Sequence, residues 1–199
     1  MDEQLQMFLS AQREFGARVH AVSEDQWSAR TPDTEWTVAD LVAHLVDEHR
    51  WAAPLLHGLD LESAGKVVEG TRDLPADGGV GANLAESWDE AATTSADAFT
   101  AEGTLDRQVA LSRGSTPVRT YLDEMISDLV VHAWDLGRAF DYPQPLPDEP
   151  VAYVYQRFAD AGDLSGSGFF DPPRDVPDDA PLIDRLVAAT GRDPGWTAG

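Results

Sequence analysis

Residues 121–136, with the sequence YLDEMISDLVVHAWDL, contain the clearest helical pattern of the chain. Apolar side chains recur along this segment at intervals of three and four residues. They are Leu122, Met125, Ile126, Leu129, Ala133 and Leu136. Such spacing places them on one face of an amphipathic α-helix. We expect a Ser or Thr cap in Ser115-Thr116-Pro117 to start this helix, with the proline in its first turn, and the helix to run to about Phe140.

Three other segments have the same helical period and are long enough to pack against this helix. They are Leu5 to Val22, Thr37 to about Gly58, and Asn83 to Ala101. Thr37 and Asp40 fit a short capping box, and Gly58 is expected to end the second of these helices.

Shorter elements complete the prediction. Two short helices are expected near the C-terminus, an extended stretch before Ser115, and a long, partly mobile connection after the second long helix. The two helices are Val151 to Ala161 and Leu182 to Thr190. The extended stretch is Gln108 to Ser112, and the connection is Asp60 to Gly81. No array of strands is indicated. The sequence therefore predicts an all-α single domain over residues 1–199, an antiparallel four-helix bundle with short additional C-terminal helices and with 162–199 as a tail packed on the bundle.

The charge balance excludes several classes of partner. The chain has 14 basic and 36 acidic residues, for a net charge of −22, which disfavours nucleic acid and anionic membrane surfaces. It has no cysteine, so a metal must be held by His, Asp or Glu, and any thiolate must come from outside the chain. The acidic N-terminus lacks a secretory signal and no apolar stretch could span a membrane, so a cytoplasmic location is expected.

Two polar residues lie at the border of the apolar face of the helix that contains residues 121–136. Asp128 and His132 are four residues apart, so their side chains stack one turn above the other. Tyr121 falls on the same stripe. An acid and a histidine at this spacing can bind one metal ion together. The alternative interpretation is that Asp128 and His132 form a partly buried, hydrogen-bonded pair without a metal.

His44 lies at the corresponding border of the second helix, with Glu48 one turn later. If the two helices pack through their apolar faces, His44 meets Asp128 and His132. Two imidazoles and one carboxylate leave coordination positions open, as in a catalytic metal site. Glu48 is the best candidate for a fourth protein ligand.

The remaining histidines and the tryptophans have simpler interpretations. His49 lies in the middle of an apolar face and is expected in the core, whereas His20 and His57 are expected at surface or helix-end positions. Four tryptophans are expected in the core as well: Trp36, Trp51, Trp88 and Trp134.

Two strings in these helices resemble a known family. They are Glu35-Trp36-Thr37-Val38-Ala39-Asp40-Leu41-Val42-Ala43-His44-Leu45 and Asp128-Leu129-Val130-Val131-His132-Ala133-Trp134-Asp135-Leu136. Both resemble signatures of the DinB-like metal-binding superfamily, and more narrowly of its actinobacterial branch related to the N-terminal domain of mycothiol-dependent maleylpyruvate isomerase. The tail from Asp179 to Trp196 is similar to the closing motif of one subgroup, so the resemblance covers nearly the whole chain.

The resemblance implies a four-helix bundle that holds a divalent metal, usually zinc or nickel, through His44, Asp128 and His132. Asp128 stands where the isomerase has Glu, which is one methylene longer. The isomerase also has a second, C-terminal domain, and no segment of this chain is long enough to supply it. The resemblance therefore implies a related thiol-dependent transfer, with mycothiol as cosubstrate, rather than the isomerase reaction itself.

The leading hypothesis is a metal-dependent thiol S-transferase or isomerase, whose partners are a small thiol and a small electrophile. Glu48 and Tyr121, if they face the site, would orient substrate or handle protons. Bundles of this family often dimerise, so a homodimer is expected as well. Two alternatives stay open. One is a non-enzymatic metal- or small-ligand-binding stress protein, and the other is a metal-dependent hydrolase or oxygen enzyme, because two His and one carboxylate also suit iron.

Overall fold

The computed structural model describes residues 2–33, 35–70, 79–161 and 171–198. The helices in these ranges are α1 (Glu3–Val19), α2 (Val38–Leu56), α3 (Leu61–Gly70), α4 (Gly79–Thr100), α5 (Val118–Ala139), α6 (Asp148–Ala161) and α7 (Leu182–Ala189). One hairpin pairs β1 (Gln108–Leu111) with β2 (Gly114–Pro117) in antiparallel register. Helices α1, α2, α4 and α5 form the bundle, which confirms the predicted all-α four-helix architecture. None of the described helices is long and apolar enough to cross a membrane.

Helices α1 and α5 run side by side in the same direction. Near the start of both, Nε2 of Gln4 donates a hydrogen bond of 2.7 Å to Oδ1 of Asp123. Near the end of both, the Arg18 side chain lies so close to Gly137 that a Cβ at that glycine would be 3.2 Å from Arg18 Nε. The two contacts fix α1 and α5 in register along their whole length.

The pair α2 and α4 runs opposite to the pair α1 and α5. Phe8 of α1 packs against Phe99 at the end of α4, and Phe15 packs against Trp88 a little before the middle of α4. Because α2 and α4 are parallel neighbours, the chain between them must return along the bundle, as in other bundles with a crossover connection. Helix α3 lies in this crossover, of which residues 71–78 lie outside the described ranges.

The predicted connection from Asp60 to Gly81 is wrong in part, because Leu61–Gly70 form helix α3. Ala64 and Val68 are buried one turn apart, as a helix packed on the bundle requires. Gly65 favoured a loop at the sequence level, but it serves a close contact instead. A Cβ there would come within 3.2 Å of the Trp51 ring of α2.

The predicted Ser or Thr cap of α5 is wrong. Thr116 pairs with Val109 in the hairpin, and the N-cap residue of α5 is Pro117, without a side-chain capping bond. Pro117 lies at the last pair of the ladder, opposite Gln108, where proline and its missing N–H are tolerated. Its φ of −56° then leads directly into the helix.

Several helix ends differ from the predicted ones by a few residues. The first helix ends at Val19, because the Val22 N–H bonds to the Val19 carbonyl and so tightens the chain into a turn. Helix α4 begins at Gly79 rather than at Asn83, since its early glycines weaken the helical signal. Helix α6 begins at Asp148, where acidic residues in the first turn suit the helix dipole.

Helix α2 begins as predicted, and its start positions the first half of the site. The Asp40 N–H donates to Oγ1 of Thr37 at 3.3 Å, and the Thr37 N–H donates to Oδ2 of Asp40 at 3.0 Å, which completes the capping box. Gly58, with a φ of +89°, follows the helix end as predicted. The cap fixes the rotation of α2 and therefore the direction of the residues on each of its faces.

Residues 171–198, which we call the C-terminal arm, pack along the end of α5. The Arg138 guanidinium of α5 donates a hydrogen bond of 2.9 Å to the Pro194 carbonyl. Within the arm, Nε of Arg174 donates to the Gly191 carbonyl at 2.7 Å. The first part of the predicted tail, residues 162–170, lies outside the described ranges.

Candidate metal centre

The structure brings the three predicted metal ligands together between α2 and α5. Nε2 of His44 lies 3.3 Å from Oδ2 of Asp128, and Nε2 of His132 lies 3.4 Å from Oδ1 of the same carboxylate. One ligand atom from each side chain lies within 4.8 Å of the other two. The packing of two apolar faces, each with polar residues at its border, produces this arrangement.

The three side chains are only partly enclosed. The His132 side chain is 7% exposed, while those of His44 and Asp128 are 29% and 35% exposed. Trp36, in the loop before α2, has its ring centroid 4.6 Å from that of His44 and 5.5 Å from that of His132. Trp36 was expected in the core. It does pack partly against the core, but its indole also covers one side of both imidazoles.

The charges in this cluster favour a cation. Burial opposes ionisation of Asp128, but His132 and then His44 outweigh it and hold the pKa of that carboxyl well below its usual range. Burial also acts to lower the pKa of His132, yet Asp128 and Asp135 raise it to about 9. The same negative field that holds a proton on His132 favours a divalent cation at the three ligand atoms.

A second carboxylate contacts the other ring nitrogen of His132. Nδ1 of His132 lies 2.9 Å from Oδ2 of Asp135, which is three residues later on α5 and fully buried. Arg192, from the C-terminal arm, donates to Oδ1 of Asp135 at 3.2 Å and to Oδ2 at 2.9 Å. Sequence reasoning missed both roles, although the spacing of His132 and Asp135 is a signal that could have identified the carboxylate.

A cavity of about 810 Å³ opens beside His44, between α2 and α4. Its lining combines an indole, carboxylates, a guanidinium, an amide and a hydroxyl, contributed among others by Trp36, Glu48, Arg50, Asn83 and Ser87. Burial, followed by repulsion from Asp128, raises the pKa of Glu48. The structure therefore places Glu48 beside the ligand cluster as a carboxyl group that holds a proton more tightly than usual.

Tyr121 lies deeper than its helical position suggested. Its side chain is 5% exposed, and its ring centroid lies 5.5 Å from that of Phe99. Tyr121 is absent from the described lining of the cavity. Burial, then the negative charges of Glu48 and neighbouring acids, raise the pKa of its hydroxyl, which stays protonated.

The other histidines lie where they were expected. His49 is fully buried, and its Nδ1 lies 2.6 Å from Oγ of Ser95. His20 is exposed and lies 2.9 Å from Asp89 on α4, and His57 is the exposed C-cap residue of α2.

The chemistry of the donor set fits a divalent metal. Two imidazole nitrogens and one carboxylate oxygen are ligands that zinc, nickel and iron accept, and three protein ligands leave room for a small molecule. The carboxylate behind His132 matches the support that metal-bound imidazoles have in proteins. Among the described residues, no other group of three such side chains lies this close together.

Comparison with known proteins places the chain in a family. The sequence model of the mycothiol maleylpyruvate isomerase N-terminal domain matches residues 8–137. Two curated relatives from Mycobacterium tuberculosis are Uncharacterized protein MT0763 (strain CDC 1551 / Oshkosh) and Uncharacterized protein Rv0738 (strain ATCC 25618 / H37Rv). Each is 30% identical over 190 residues, which cover 92% of this chain and 93% of the relative.

The fold is similar to that of a solved enzyme, the mycothiol-dependent maleylpyruvate isomerase, and of its histidine-to-alanine mutant. Both structures have a TM-score of 0.58, with identities of 16% and 15%, and cover 78% of this chain and 68% of the isomerase chain. The family match spans more than half of the chain and includes His44, Asp128 and His132. The chain therefore belongs to the mycothiol maleylpyruvate isomerase N-terminal domain family.

Proposed function

We propose that this protein is a divalent-metal-dependent enzyme that joins a small thiol of the mycothiol type to a small electrophile, as an S-transferase or isomerase does. The observation that carries the proposal is the meeting of His44, Asp128 and His132 beside a cavity large enough for a cosubstrate. Zinc and nickel suit two nitrogen donors and one oxygen donor. The family supports the choice of thiol, because its solved relative is a mycothiol-dependent isomerase.

Sulfur chemistry at this site needs an external thiol, because the chain has no cysteine. A divalent metal, when bound, lowers the pKa of a thiol and stabilises the thiolate, which is the reactive nucleophile. His44, Asp128 and His132 are the side chains that would hold that ion. Trp36 covers one side of both imidazoles and limits the access of water there.

Glu48 is the proposed acceptor of the thiol proton. It follows His44 by one turn of α2, lines the cavity, and has a raised pKa, which brings its proton affinity closer to that of a general base working near neutral pH. Tyr121 keeps its hydroxyl proton, but its ring is buried and lies outside the described lining of the cavity, so it has no proposed contact with the reactants. The cytoplasm, where small thiols are kept reduced, suits this chemistry.

The test is a rate measurement on zinc-loaded protein with mycothiol and monobromobimane, a small thiol-reactive electrophile. Wild-type protein is expected to accelerate their reaction, and the variant His44→Ala/His132→Ala is expected to lose this acceleration. The matched control is His20→Ala/His57→Ala, which removes two exposed histidines and should keep the wild-type rate. Full activity in the first double variant contradicts the proposal. Stoichiometric zinc without acceleration favours a non-enzymatic metal-binding protein instead.

A further inference from the structure

Arg192 connects the C-terminal arm to the candidate metal centre through one intermediate side chain. Its Nε and one terminal nitrogen contact both oxygens of Asp135, at 2.9 to 3.3 Å. Oδ2 of Asp135 in turn lies 2.9 Å from Nδ1 of His132. Because Nδ1 is engaged in this way, the other ring nitrogen, Nε2, is the one directed at Asp128.

Asp135 depends on Arg192 for its position. Its side chain is fully buried, and a buried carboxylate is costly unless a cation and hydrogen bonds compensate it. His132 offers one hydrogen bond, while the Arg192 guanidinium offers a fork that reaches both oxygens. Without the guanidinium, the Asp135 carboxylate would lose the contacts that hold both of its oxygens and could turn away, and the bond that orients the His132 ring would weaken.

Arg192 is itself held firmly. Its side chain is 10% exposed, and its backbone N–H bonds to the Val187 carbonyl of α7 at 3.0 Å. A terminal nitrogen also lies 3.3 Å from Oδ2 of Asp33, in the loop that carries Trp36 towards α2. One guanidinium therefore ties together the arm, the loop before α2, and the carboxylate behind His132.

We infer that Arg192 is a positioning residue for the metal centre: through Asp135 it fixes the His132 ring with Nε2 facing His44 and Asp128. The C-terminal arm is thus a functional part of the site rather than a packed tail. The inference rests on the proposed function, since it assumes that the three side chains bind a metal. Loss of such support behind a metal-bound histidine weakens metal binding by about 10- to 100-fold in other proteins.

The experiment measures cobalt(II) affinity and the visible absorption of the cobalt complex for the full chain and its variants. The variant Arg192→Gln is expected to bind cobalt about 10- to 100-fold more weakly and to change the absorption bands, because the orientation of His132 changes. Arg192→Lys keeps the positive charge but cannot contact both oxygens of Asp135 at once, so its cobalt affinity should fall between those of wild-type protein and Arg192→Gln. Arg174→Gln is the matched control, since it also loses a bond within the arm but does not contact Asp135.

The outcomes separate this inference from the proposed function. If wild-type protein binds no cobalt, the proposed function fails. If wild-type protein binds cobalt and Arg192→Gln binds it with the same affinity and spectrum, the inference alone is overturned. Equal losses in Arg192→Gln and Arg174→Gln also overturn it, since they would reflect loosening of the arm. Circular dichroism verifies that each variant folds. If Arg192→Gln does not fold, Arg192→Lys is the test, and a cobalt affinity and spectrum equal to those of wild-type protein overturn the inference.

Discussion

Nε2 of His132 lies 3.4 Å from Oδ1 of Asp128, one turn earlier on the same helix. The opposite ring nitrogen of His132 lies 2.9 Å from Asp135, so the imidazole is held between two carboxylates. A ring fixed at both nitrogens keeps one direction, which is what a metal ligand requires. His44 approaches the Asp128 carboxylate from α2 and completes the cluster.

Replacing the shared carboxylate should remove most of the metal affinity. Asp128→Asn deletes the one negative charge among the three ligands, so we expect zinc affinity to fall by more than about 100-fold, beyond the effect typical of a supporting residue. Competition with a chromophoric zinc chelator measures this change. Asp89→Asn is the control, because it removes a carboxylate that also contacts a histidine, His20, but at an exposed site. Equal affinities for the two variants would show that Asp128 is not a ligand.

Zinc affinity should increase with pH. Burial favours the neutral form of His132, but Asp128 and Asp135 raise its pKa to about 9, so the metal-free protein carries a proton there at neutral pH. Zinc must displace that proton, and affinity should rise about tenfold per pH unit from about pH 6.5 to pH 8. Calorimetric titrations in buffers of different ionisation enthalpy would count the released proton. A constant affinity over this range would contradict the account.

His49 should make the fold sensitive to mild acid. Burial lowers its pKa to about 3, so between that pH and about 6.5 the unfolded chain binds a proton that the folded chain does not. The free energy of unfolding should therefore fall as pH falls, by up to about 1.4 kcal/mol per pH unit from this residue. Urea unfolding of wild-type protein and His49→Gln measures the difference. Parallel pH profiles for the two proteins would rule out this role.

Gly191 should be needed both for stability and for metal binding. Its φ is +84°, and a Cβ there would come within 3.0 Å of backbone atoms of Asp171. Gly191→Ala is therefore expected to displace the neighbouring Arg192 and to weaken cobalt binding as well as the fold. Gly103→Ala is the control, since Gly103 has a φ of +74° but open space around it. It should cost about 1–2 kcal/mol of stability and leave metal affinity unchanged.

The helical period predicted the bundle and the meeting of His44, Asp128 and His132, which the structure shows, whereas their binding of a metal stays a prediction. All three side chains lie at the borders of apolar helix faces, His44 on α2 and Asp128 and His132 on α5. Packing of those two faces is enough to bring them together. Tyr121 lies on the same stripe of α5 as Asp128, but it is buried, because helical position alone does not determine the depth of a side chain. Its ring lies in the core beside Phe99.

Features that depend on distant contacts were beyond sequence reasoning. Asp135 and Arg192 are 57 residues apart, so no local pattern joins them. Helix α3 was missed because a glycine such as Gly65 usually indicates a loop. Here Gly65 instead allows close packing against Trp51. Trp36 reaches the site through the geometry of its loop, which no periodicity describes.

Equilibrium dialysis against zinc measures whether His44, Asp128 and His132 hold a divalent metal. Wild-type protein and the control His20→Ala/His57→Ala should each retain one zinc ion per chain. The variant His44→Ala/His132→Ala, verified as folded by circular dichroism, should retain almost none. One tightly held zinc ion per chain in that variant would contradict the account.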